Sequence, residues 1–145
     1  MEKKKYRYLY VMKLEGNGYN YYVGHTIKTK ERILKDHYKG ERALTRNNKP
    51  IKIIFWKSIG LTLEHEAHEY SKEIIIELMK KFGIEEVRGG TWFCQIDLRH
   101  HLEALLPLIR DKSINNFEVL ANQLKRYPDI HRKLTDPTSM YYTNL

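Results

Sequence analysis

The chain has 145 residues, with 26 Lys/Arg against 18 Asp/Glu, a net charge of +8 and one cysteine. That length suits one domain, or one domain with an extension, and leaves room for a buried core. No apolar run approaches the ~20 residues of a membrane span, the opening MEKKKYRY lacks the apolar stretch of a signal peptide, and Cys94 by itself forms no internal disulfide. The expectation is a cytoplasmic or other reducing compartment, without a membrane or a disulfide-linked partner.

The charge is unevenly spread. Residues 1–57 hold 15 Lys/Arg against 5 Asp/Glu, residues 58–88 hold 4 against 7, and residues 89–145 hold 7 against 6. A basic first half with aromatics interleaved suits a phosphate-backbone partner. A basic surface that only keeps the chain soluble is the bland alternative.

In chain order, Lys3, Lys4 and Lys5 form a short basic arm. Tyr6 to Leu14 then alternates Tyr8, Tyr10 and Met12 with Leu9, Val11 and Lys13, and Tyr19 to Val23 is a second β-prone run ending at Gly24. The intervening Glu15-Gly16-Asn17-Gly18 predicts an antiparallel hairpin. Val23-Gly24 reads as a turn, with Thr26 or Thr29 capping a helix to about Tyr38 that Gly40 ends. Residues 40–50 read as a basic loop carrying Arg42, Arg46 and Lys49. Ile51 to Ser58 is the strongest strand pattern, bounded by Pro50 and Gly60.

A long helix is expected from about Thr62, as N-cap, to Phe82, with Gly83 as its stop and Leu63, Ala67, Tyr70, Ile74 and Leu78 as its core stripe. The order ββαβα predicts an α/β sandwich: a three-stranded antiparallel sheet flanked by helices. Arg88-Gly89-Gly90 implies close backbone approach to a strand or a phosphate. Helical patterns at 98–110 and 115–127 make residues 96–145 a helical C-terminal extension of a domain spanning 1–95.

The opening hairpin and its helix resemble a GIY-YIG nuclease domain. Tyr8-Leu9-Tyr10 stands for the first triplet, with Tyr8 in place of the family glycine, and Tyr22-Val23-Gly24 for the second. Arg32 falls eight residues after Gly24, at the family arginine, and the likeness covers roughly residues 6–95. It implies a metal-dependent endonuclease that hydrolyses phosphodiester bonds in DNA, with RNA left open. One helix glutamate would hold a single Mg²⁺ or Mn²⁺. Glu73 is the choice, because the helix is apolar in most other directions around it, and Glu69 is second.

Tyr10, Tyr22, His25, Arg32 and His37 are the other catalytic candidates. Arginine's planar fork matches phosphate oxygens and offsets charge building on phosphorus. His25 follows Gly24 where the excision-repair branch carries lysine. The family often places Tyr or His four residues after its arginine; that position here is Asp36, and His37 follows it. The general base is therefore open between His37 and a tyrosine. Lys28, Lys30, Arg42, Arg46 and Lys49 would hold flanking phosphates.

Two rivals stand beside this reading: a GIY-YIG-like nucleic-acid-binding module that cleaves nothing, and a protein adaptor docking through its acidic helix. His65-Glu66-Ala67-His68-Glu69 imitates a zinc-peptidase motif but spaces its histidines i, i+3 rather than i, i+4. Cys94, between Phe93 and Gln95, reads as a buried thiol.

Overall fold

The computed structural model describes residues 2–15, 19–39, 48–83, 86–90, 92, 128–140 and 142. In order these form β1 (Lys5–Leu14), β2 (Tyr21–Thr26), α1 (Lys30–Tyr38), β3 (Pro50–Thr62), α2 (Glu64–Phe82), β4 (Val87–Gly89) and α3 (Pro128–Thr135). The loop with Arg42 and Arg46, the patterns at 98–110 and 115–127, and Cys94 lie outside the described residues.

The molecule is α/β, with a four-stranded mixed sheet in the order β3-β1-β2-β4. β1 pairs antiparallel with β2 and β3, the three strands foreseen. β4 adds a fourth, pairing parallel with β2 through Tyr21–Val87, Tyr22–Arg88 and Val23–Gly89. The close approach implied by Gly89-Gly90 is made to β2, where Gly90 meets Tyr22, and to α2, where Gly89 meets Ile75. A Cβ at Gly89 would fall on the Ile75 side chain and the Trp92 carbonyl.

Because strand side chains alternate between faces, β1 and β2 divide the molecule in two. Tyr10, Met12, Leu14 and Tyr22 face α1, forming a buried cluster with Tyr19 and Ile33, against which Leu34, Ile53 and Trp56 pack. The other face takes α2: Tyr21 stacks on Phe82 at 4.8 Å, and His25 lies 4.8 Å from His68.

Two local signals act differently from their sequence reading. Gly60 does not stop β3, which runs on to Thr62; it adopts φ 69° beside a register shift at Arg7/Tyr8, so a residue able to take positive φ serves a bulge. α2 is capped at Leu63 instead of Thr62, which ends β3. The Leu63 N–H donates to the Glu66 carboxylate at 2.9 Å, satisfying a donor next to the helix start.

The core stripe of α2 is also rotated from expectation. Ala67, Ser71, Ile75 and Met79 are buried, whereas Tyr70 is exposed. An i, i+4 row one residue away from the anticipated Ile74/Leu78 line turns the helix by ~100°. Glu69, Glu73 and Glu77 are all exposed. Among the described residues, no helix is long and apolar enough to cross a membrane.

Gly89→Ala should destabilise the protein by ~1–3 kcal/mol, the ordinary cost of overpacking a filled core. Denaturant unfolding followed by circular dichroism would show this as a lowered midpoint with little change in slope.

Candidate functional site

Tyr10, Tyr22 and His37 meet between the sheet and α1. The Tyr10 phenol oxygen and His37 Nε2 share a 2.9 Å hydrogen bond. The Tyr22 and His37 rings meet edge-on at 4.7 Å and 63°, and Tyr10 and Tyr22 lie 6.3 Å apart. All three side chains are buried, His37 at 1% exposure.

Two glycines give the phenols room. Gly24 sits opposite Tyr10 in the β1–β2 ladder, and a Cβ there would lie 2.5 Å from the Tyr10 hydroxyl oxygen. A Cβ at Gly90, the residue after β4, would lie 2.6 Å from the Tyr22 hydroxyl oxygen. β2 continues through Gly24 to Thr26, so the glycine taken for a turn is required by the facing phenol.

His37 reaches this cluster through the phase of α1. Thr29 caps the helix, its Oγ1 accepting from the Arg32 N–H at 3.2 Å. Its buried residues are then Ile33, Asp36 and His37, which occupy one face at i, i+3 and i+4. His37 meets the phenols, while Asp36 takes two cations at the helix edge. Lys28 Nζ donates to Asp36 at 2.9 Å and Arg32 Nε at 3.1 Å.

The Lys28 hydrogen bond, aided by the charges of Lys28 and Arg32, holds the Asp36 carboxyl below its usual value against the opposing effect of desolvation. Arg32 is 63% exposed in its side chain and is tied to Asp36 at the helix edge.

A hollow of about 370 Å³ opens beside Tyr10 and Tyr22, where β1 begins and β2 ends. Lys5, Arg7 and Lys28 bring positive charge to it, Gly24 and Gly90 line it, and Glu64 at the start of α2 supplies a carboxylate. The Arg7 Nε donates to the Thr62 carbonyl at 3.1 Å, fixing a nearly buried guanidinium at the rim. His25 lines the hollow, with its ring against His68 on the α2 face.

Lys30 and Lys49 stand over aromatic rings, Trp56 at 5.8 Å and Tyr38 at 5.7 Å. Arg7 and Glu64 were missed as site residues by sequence reasoning, whereas Lys5 was read as part of a basic arm and Gly90 as a close backbone approach. An arginine within a run of strand tyrosines was the available signal for Arg7.

Glu73 does not join this cluster. It lines an apolar hollow with Val11, Ile54, Phe55, Ile74 and Leu78, and Val11 projects from the face of β1 opposite Tyr10. The rotated α2 stripe is the physical reason: with Ser71 and Ile75 buried, Glu73 is ~200° from each around the helix. The structure therefore does not bring Glu73 to the phenols, and Glu69 is likewise exposed on that helix.

No group of three or more His, Cys, Asp or Glu among the described residues is placed to hold a metal ion. Glu64 nevertheless fits one recurrent mode of Mg²⁺ binding, in which one or two carboxylates act together with substrate phosphate and water.

The Asp36 carboxyl should titrate below 3.8, its ordinary value, in a carboxyl-carbon NMR titration, and Lys28→Met should raise that midpoint. Because the folded value is depressed, this group's stabilisation is complete above its unfolded value and fades as pH falls through the folded one.

Comparison with protein-family models, curated proteins and solved structures yields no match.

Proposed function

We propose that the chain is a metal-dependent endonuclease of the GIY-YIG kind that hydrolyses phosphodiester bonds in DNA. The observation carrying this reading is the 2.9 Å Tyr10–His37 hydrogen bond beside a hollow with Lys5, Arg7 and Lys28. The phenol lines that hollow, with the imidazole hydrogen-bonded behind it. Tyr10 can therefore take a proton from an attacking water while its own proton passes to His37 Nε2. This relay joins the two general-base alternatives in one device.

The new bond forms between water oxygen and phosphorus, and the bond from phosphorus to the departing nucleoside oxygen breaks. Lys5, Arg7 and Lys28 hold the phosphoryl oxygens and offset their growing charge. Arg32 acts mainly through Asp36, with which it and Lys28 form one network. A Mg²⁺ or Mn²⁺ at Glu64 would supply Lewis-acid stabilisation of the leaving oxygen. Lys30 and Lys49 add backbone attraction, which positions DNA without reading sequence.

A second reading, a nucleic-acid-binding module without cleavage, is favoured by one observation: Glu73 stands across the sheet from the phenols. Supercoiled plasmid incubated with Mg²⁺ or EDTA separates the two. The hydrolase reading expects Mg²⁺-dependent nicking, reduced ~10²–10⁴-fold by Tyr10→Phe or His37→Gln. Glu64→Gln should abolish the Mg²⁺ dependence, whereas Glu73→Gln should stay near wild type. Binding without nicking in any metal would leave the module, and an RNA substrate in parallel assigns the sugar.

Neutralising Lys28 should weaken binding to all DNA sequences alike. It should also reduce the slope of log affinity against log salt by ~1. Fluorescence anisotropy across a salt series measures both.

A further inference from the structure

We propose that the DNA taken by this site is an unpaired strand, whose bases stack on an aromatic strip formed by Tyr6, Tyr8 and Trp56. The proposal rests on the nucleic-acid reading above and names the form of substrate.

β1 sends Tyr6, Tyr8 and Tyr10 to the same face of the sheet, since they alternate along one strand. Tyr10 lies at the hollow, while Tyr6 at the far end is 64% exposed. Trp56 pairs opposite Tyr10 on β3. Its ring stacks on Tyr8 at 5.0 Å and 19°, and on Tyr10 at 6.2 Å and 28°. The ammonium of Lys30 stands 5.8 Å from the Trp56 ring centre. An aromatic line with a cation beside it therefore leads from solvent to the phenol–imidazole pair.

Cross-strand packing accounts for Tyr8 against Trp56, because such pairs stabilise a sheet. It does not account for Tyr6, whose largely exposed ring returns little packing energy. A row of aromatic rings beside positive charge is the arrangement by which proteins hold single strands, since every base has a π face to stack.

Spacing favours the unpaired form. Alternate residues of a strand are ~6.8 Å apart, twice the ~3.4 Å rise per nucleotide in one strand of a duplex. Successive duplex bases are too closely spaced to stack on Tyr6 and Tyr8, and their faces already cover one another. An extended strand can place one base on the open Tyr6 ring and the next against the half-buried Tyr8–Trp56 stack.

The test compares a single-stranded oligonucleotide with a hairpin duplex of equal phosphate number, at one fixed salt concentration. Trp56 emission is read in a Trp92→Phe background. The single strand should quench that emission and bind at least about tenfold more tightly than the duplex. Tyr6→Ala should lose about tenfold in single-strand affinity, the loss of one base stack, while Tyr6→Phe keeps it and duplex binding stays unchanged.

Equal losses on both substrates, tighter binding of the duplex, or no quenching would overturn the proposal. Mg²⁺-dependent nicking together with single-strand affinity that does not depend on Tyr6 would leave the hydrolase reading intact and remove the strip. Tyr6-dependent single-strand binding without cleavage would do the reverse. Failure to bind any nucleic acid would remove both.

Discussion

A phenol hydrogen-bonded to an imidazole inside a small core is the constraint to which the surrounding structure answers. Tyr10 and His37 are 27 residues apart in sequence and come from different elements. Their contact needs the sheet face, the α1 phase and a gap in the neighbouring strand at once. Gly24 supplies the gap beside Tyr10, and Gly90 does the same beside Tyr22. A side chain at either glycine would press on a phenol oxygen that has little space to move. The positions of these glycines and of the two phenols are therefore one packing requirement expressed in two strands and the residue that follows β4.

The sheet then acts as a divider. Its α1 face carries the phenols, the imidazole and the aromatic strip, and its α2 face carries a mainly aliphatic core under an exposed row of glutamates. This separation has an electrostatic consequence. The glutamates at 69, 73 and 77 lie on a different side from the phenol cluster, so they do not directly oppose the cations at the hollow. Glu64 is the exception, because the first turn of α2 lies at the end of the sheet where the hollow opens.

Within the basic face, Asp36 organises rather than neutralises. It accepts from both Lys28 and Arg32, so two exposed cationic chains, of which Lys28 lines the hollow, are held by one carboxylate. Under the proposed function, ordering long side chains in advance would lower the entropy lost when they meet a phosphate. Their exposure means that the pairs themselves contribute little to folding, and their larger physical effect is on where charge is presented.

Much of the local structure was legible from residue order. The hairpin, the Thr29-capped helix, the β-branched strand after Pro50 and the Gly83 stop all follow from short-range preferences of backbone and side chain. The meeting of Tyr10 with Tyr22 was legible too, since facing strands of one hairpin share a period of two. The fourth strand, the bulge at Gly60 and the outward turn of Glu73 were decided by tertiary structure. Each depends on which neighbour fills a given space: β4 on an open edge of β2, Gly60 on a register shift against β1, Glu73 on which row of α2 packs against the sheet. A helix that is apolar in most directions does not declare its buried row, because several rows would remove similar areas from water. Only the shape of the sheet beneath it chooses among them, and that choice sets which carboxylate stands by the phenols.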